Sequence, residues 1–145
     1  MTSIPKPKRT PKTRVRRGTR TSRHRAKRKS NLKLVDRLFS SYIRTRDDWA
    51  CRCCGSVRNI QCAHVVSRRY RAVRWDSDNA LALCSRCHVR YTYDPIAWQD
   101  WIDEKFPGRM EQLRAKARQG VAHVDYDALS VGLLASIAAL TERRK

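Results

Sequence analysis

Two Cys-x-x-Cys pairs, Cys51 with Cys54 and Cys84 with Cys87, constrain the fold of this chain more than any other feature. Each such turn presents two thiolates to one ion from a single tight bend, and two turns complete the tetrahedral sulfur set that zinc prefers. Gly55, directly after the first pair, permits the backbone conformation such a bend requires. Cys51, Cys54, Cys84 and Cys87 are therefore the expected ligands of a structural Zn²⁺, against the plainer alternative of unliganded thiols packed as small hydrophobes. Cys53 and Cys62 are read as non-ligands, Cys62 because it sits in a strand-like stretch, Ile60 to Val66, where a small apolar residue simply packs.

No run approaches the roughly 18 apolar residues that would span a bilayer, and no apolar segment follows the basic N-terminus as a secretory signal would require. No membrane partner is expected and the expected location is the cytoplasm, where thiols stay reduced and paired cysteines serve metals rather than disulfides. The 33 Lys and Arg residues stand against 13 Asp and Glu, a formal +20 over 145 residues, which points to a polyanion as partner. Residues 1–30 hold 13 of those basic residues, no acid and almost no large aliphatic side chain. Such a segment cannot offset the entropy of ordering, so it is expected to be a disordered basic arm that contacts phosphates. Residues 31–145 are expected to form one domain.

Leu34, Val35, Leu38, Phe39, Tyr42 and Ile43 recur at helical spacing, which predicts a helix of about four turns from Ser30 or Asn31. Asp94-Pro95 reads as the cap and first position of a helix that ends before Pro107. A half-exposed helix follows from Arg109 to about Gln119. The last helix runs from Tyr126 to about Arg143, with Asp125 or Asp127 as cap. It reads as a core helix, with a homodimer contact as the open alternative.

Between the cysteine pairs lie His64, Asn79 and, after Cys87, His88. This order resembles the HNH endonuclease family, whose site is a two-stranded hairpin and a helix gripping one divalent cation, here within a treble clef. The resemblance covers about residues 51–92. It implies His64 as the base that activates water, a role an imidazole near its ordinary pKa suits. It implies His88, with or without Asn79, as ligand of a catalytic Mg²⁺ or Mn²⁺ that neutralises phosphate charge. Asn79 would either orient the hairpin that carries the base or join the metal shell; its residue type also suits a helix cap before Ala80. Many HNH enzymes place Asp or His just before the base as a further ligand, where this chain has Ala63.

Further out, Tyr42-Ile-Arg-Thr-Arg46-Asp47 and Arg69-Tyr-Arg-Ala-Val-Arg74-Trp75-Asp76 resemble the NinG/Rap phage recombination proteins over roughly residues 30–120. In that family a small residue commonly precedes the histidine, as Ala63 does here. The resemblance implies a structure-selective DNA endonuclease acting on branched intermediates such as Holliday junctions. Arg68, Arg69, Arg71 and Arg74 would hold phosphate oxygens. Tyr70 and Trp75 would pack against the hairpin or stack on unpaired bases. Asp76 and Asp78 are expected to pair with the arginines.

The reading is thus an α+β protein, a treble-clef, ββα-metal HNH core with flanking helices and a basic arm, working as a metal-dependent DNA endonuclease on branched DNA. The rivals are a non-catalytic zinc-stapled DNA- or RNA-binding module and an HNH nuclease acting on linear duplex.

Overall fold

Val35, Phe39 and Ile43 recur every four residues along a 28-residue helix, α1 (Thr19–Arg46), and all three are buried, so this stripe anchors the helix on the rest of the chain. The computed structural model describes residues 19–120 and 123–144. α1 begins at Thr19, eleven positions before Ser30, which corrects the expected start of this helix. The physical reason is propensity: no proline falls between Pro11 and Pro95, and arginine, lysine and alanine extend an existing helix at little cost. Residues 1–18 of the expected arm lie outside the described residues.

The fold is mixed α+β. β1 (Ile60–His64) pairs antiparallel with β2 (Ala80–Cys84), in a register running from Ile60 opposite Cys84 to His64 opposite Ala80. All five residues of β2 are buried, because helices cover both faces of the sheet. Ala80 packs with Val35, Phe39 and Ile43 of α1, whereas Leu81 and Leu83 join a second cluster with Ile102, Met110 and Leu113. Strands covered on both faces read as continuous apolar runs, as Ala-Leu-Ala-Leu-Cys does.

A 3₁₀ turn (Ser77–Asn79) precedes β2, and α2 (Ser85–Tyr93) follows it directly. Asn79 therefore leads into a strand, which corrects its reading as a helix cap. α3 (Pro95–Lys105) starts where expected, with Asp94 Oδ1 accepting from Ala97 N at 2.9 Å. α4 (Arg109–Gln119) and α5 (Tyr126–Glu142) complete the chain, Asp125 being the cap of α5. α5 lies along α1 and runs in the same direction: Asn31 meets Asp127 at one end, and Arg144 reaches Asp48 and the Thr45 carbonyl at the other. Leu133 is buried there while Val131 and Leu134 remain exposed.

Two charged braces tie α1 to the segments that carry the site. Arg46 donates to the Ser77 and Ala80 carbonyls at 2.6 and 2.9 Å and pairs with Asp47, whose Oδ2 accepts from Ala82 N at 2.8 Å. Asp36 accepts two guanidinium bonds from Arg74, at 2.9 and 2.6 Å, and one from the Trp75 indole at 3.0 Å. Burial works to raise the Asp36 pKa, but these donors win and hold it below the usual carboxylate value. Asp36→Ala leaves a half-buried guanidinium and an indole N–H without an acceptor. It should cost about 2 kcal/mol, read as a lower urea midpoint at unchanged slope. An unchanged midpoint would show that the brace contributes nothing.

Candidate metal centre and the adjoining cleft

Cys51 and Cys54 sit on the turn after α1, Cys84 ends β2, and Cys87 lies in the first turn of α2. The turn closes through Gly55 N to Cys51 O and Cys51 N to Ser56 O, both 2.8 Å, with Gly55 at φ +74°. A side chain at that φ is strained, which is why glycine stands there. All four sulfurs lie within 4.8 Å of one another, and Cys54 Sγ is 3.7 Å from Cys84 Sγ. Four metal–sulfur bonds of about 2.3 Å in a tetrahedron set the sulfurs roughly 3.8 Å apart, so the spacing suits one ion.

The electrostatics agree. Burial resists ionisation of Cys51, but backbone N–H groups of Cys84, Cys54 and Cys53 bring it down to about 7. Cys87 is pushed well up by burial and by the neighbouring sulfurs, a repulsion that a central cation would offset. The four cysteines therefore form a cluster able to hold a metal ion, and it is the single group of three or more His, Cys, Asp or Glu ligands gathered this closely among the described residues. Cys53 turns instead to Tyr91 Oη at 3.4 Å, and burial pushes Cys62 up to about 12, the behaviour of a small apolar residue.

Beside this cluster, His64 and His88 open onto one cleft of about 400 Å³, shared with Asp36, Phe39, Cys62 and Arg68. His64 Nε2 donates to the Arg74 carbonyl at 3.0 Å, which leaves the Nδ1 lone pair uncommitted. Burial lowers its pKa from 6.5, helped by the charges of Arg68 and Arg74 and opposed by the Arg74 carbonyl and Asp36. His88 Nδ1 donates to Gln61 Oε1 at 2.6 Å, which leaves Nε2 as its free lone pair, and burial lowers this pKa too. Each imidazole is thus neutral near pH 7, oriented through one nitrogen and available through the other.

Asn79 does not join this cleft. It is fully buried: its oxygen accepts from Val66 N at 2.7 Å, and its amide donates to the Val66 and Val73 carbonyls at 2.9 and 2.8 Å. The expected cation ligand is corrected to a clamp that closes the 65–79 loop behind His64, which was the other option its residue type left open. Ala63 is buried in the core opposite Leu81, so its position offers nothing to the cleft.

The four arginines separate by role. Arg68 lines the cleft, Arg69 is exposed over the Tyr70 ring, and Arg71 is half-buried against Tyr126 Oη at 3.4 Å. Arg74 is corrected from a phosphate contact to a structural residue, because Asp36 and the Arg68 carbonyl take its donors. Trp75 packs edge-on against Tyr126. Asp76 pairs with Lys116 at 2.9 Å rather than with the arginines, because α4 rather than the 68–74 loop faces the 3₁₀ turn.

Two residues that matter to this cleft were not foreseen: Asp36, which lines it, and Gln61, which orients His88. Asp36 carried a signal: it is the first acid in a chain whose preceding 35 residues have none. Gln61 carried no such signal. No helix among the described residues is long and apolar enough to cross a membrane. Comparison of the chain with protein-family models, with curated proteins and with solved structures returns no match.

Proposed function

We propose that this protein is a metal-dependent DNA endonuclease of the HNH type that acts on branched duplexes, with structural zinc on Cys51, Cys54, Cys84 and Cys87. In this reading the sheet, the cysteine turn and α2 form a treble clef with a ββα core. The observation that carries it is the convergence of His64 and His88 on one cleft, each with a single ring nitrogen anchored to an oxygen.

His64 Nδ1 would take the proton of a water as that water's oxygen bonds to phosphorus, and the bond from phosphorus to the leaving sugar oxygen then breaks. The Arg74 carbonyl accepts the Nε2 proton throughout, which keeps the ring oriented and stabilises the imidazolium that forms. Arg68 would hold the phosphate at the mouth of the cleft. The carboxylate of Asp36 is committed to Arg74 and Trp75, so it steadies the loop rather than competing for protons. A Mg²⁺ or Mn²⁺ bound through His88 Nε2, completed by water and phosphate oxygens, would supply charge neutralisation at the scissile group.

A zinc-stapled nucleic-acid-binding module is the second reading. It is favoured by the absence, among the described residues, of another close group of three ligands and by the full engagement of Asn79. A labelled four-way junction and its matched linear duplex, each incubated with Mg²⁺ or Mn²⁺, separate the two. Cutting of the junction in preference to the duplex is the expected result. Equal cutting of both removes the branched substrate, and tight binding without cutting in either metal favours the binding module.

A further inference from the structure

The 65–70 loop separates two clefts. Ser67 and Arg68 line the one that holds His64, while Val65, Val66 and Tyr70 line a second, of about 430 Å³, closed on its other side by α3 and α4. We propose that this second cleft binds one unstacked nucleobase of the DNA, and that this capture supplies a preference for substrates with unpaired nucleotides. The proposal rests on the nuclease reading in taking DNA as the polymer and the His64 cleft as the seat of a phosphate.

The cleft is built for a flat, apolar object flanked by negative charge. Its floor is Met110 and Trp98, both almost fully buried. Trp98 is held immobile: it stacks on Trp101 with centroids 5.5 Å apart and planes 11° apart, lies 4.9 Å from Tyr91, and its indole N–H points to the Val65 carbonyl at 3.4 Å. At the mouth stands Tyr70, 41% exposed, with the Arg69 guanidinium 5.3 Å from its ring centre. Arg114 and Arg118 rise from α4 on the opposite rim, and none of the lining residues is acidic. A duplex is far too wide to enter, and a purely apolar ligand would have no use for the arginines. An unpaired base, with aromatic faces for Tyr70 and phosphates on either side for Arg114 and Arg118, uses both.

The shared wall gives the position meaning. The amide of Asn79 grips Val66 on both its N–H and its carbonyl, so the loop between the clefts is fixed rather than yielding. A strand whose phosphate lies at His64 and Arg68 passes this loop. An unpaired neighbour can drop into the second cleft at little cost, whereas a paired one must first be unstacked.

The test uses the full chain with no divalent cation added, so that binding is read without cutting. Fluorescence anisotropy, at one fixed salt concentration, compares a duplex carrying a single unpaired thymine with the matched duplex. The quantity read is the ratio of the two affinities. Wild type should favour the bulged duplex, Tyr70→Ala should reduce that ratio about tenfold, and Tyr70→Phe, which keeps the ring, should retain it. A wild type without the preference, or a Tyr70→Ala ratio equal to wild type, overturns the site. The same wild-type sample is then given Mn²⁺ and a four-way junction. A ring-dependent preference without cutting keeps the site and removes the nuclease, and cutting without that preference does the reverse.

Discussion

Cys84→Ser is expected to unfold the sheet and abolish metal binding at the four-cysteine cluster. Cys84 ends β2, stands at the start of α2, and contributes one of four sulfurs set at tetrahedral spacing. Structural zinc bound by small domains contributes on the order of 10 kcal/mol near neutral pH, comparable to the whole stability of a domain this size. Loss of one ligand therefore removes more than the remaining core can supply. The core is modest: the two buried clusters meet across a two-stranded sheet that would be marginal alone. A strong chelator should do the same to wild type. Circular dichroism and metal content per chain read both outcomes, with about one zinc per wild-type chain and none in the variant. Cys53→Ser, whose sulfur turns to Tyr91, should keep its zinc. A folded, metal-free Cys84→Ser with wild-type melting would reduce the cysteine cluster to ordinary packing.

His64→Ala should abolish most cutting of a four-way junction, a fall of about 10²- to 10⁴-fold, while junction affinity stays within a few-fold of wild type. The pH dependence follows from the cleft. In the proposed mechanism the neutral imidazole is the working form, and burial with the charges of Arg68 and Arg74 sets its pKa below 6.5. Cutting should therefore be level through pH 7 and fall only as the pH drops below that value and the ring takes a proton. Arg68→Gln removes one of the charges that disfavour the imidazolium, so its acid limb should move to higher pH. Single-turnover rates across pH read both effects. Wild-type cutting by His64→Ala, or an acid limb that stays put in Arg68→Gln, would take the base assignment away from His64.

The elements that could be read from the residues are those whose causes lie within a few positions of one another. The Cys-x-x-Cys turn with its glycine, the Asp94-Pro95 start of α3, the cap of α5 at Asp125, one of two candidates, and the four-residue stripe of α1 are each a short-range device, and each stands where the residues allowed. The start of α1 was misread because the composition of residues 19–30 was weighed for what it could bury and not for its helix propensity.

The site was legible as a set of residues and less so as a set of roles. His64 and His88 were named from their order in the chain, and the fold brings both to one cleft. Asn79 and Arg74 were also named, but their side chains face inward, and neither burial nor partner is encoded locally. Arg74 meets Asp36 across 38 positions, and Asn79 reaches Val66 across 13.

What the sequence determined by itself was a set of four cysteines able to hold a metal ion, the helices from α3 onward, and a strongly basic character, because each depends on neighbouring residues or on composition alone. Only the tertiary structure decided which polar side chains are spent on holding the loop behind His64 and which remain open to a ligand. That division depends on how α1 and α4 pack against the 65–79 segment, since a charged or amide group is free for chemistry only where no buried partner has already claimed it.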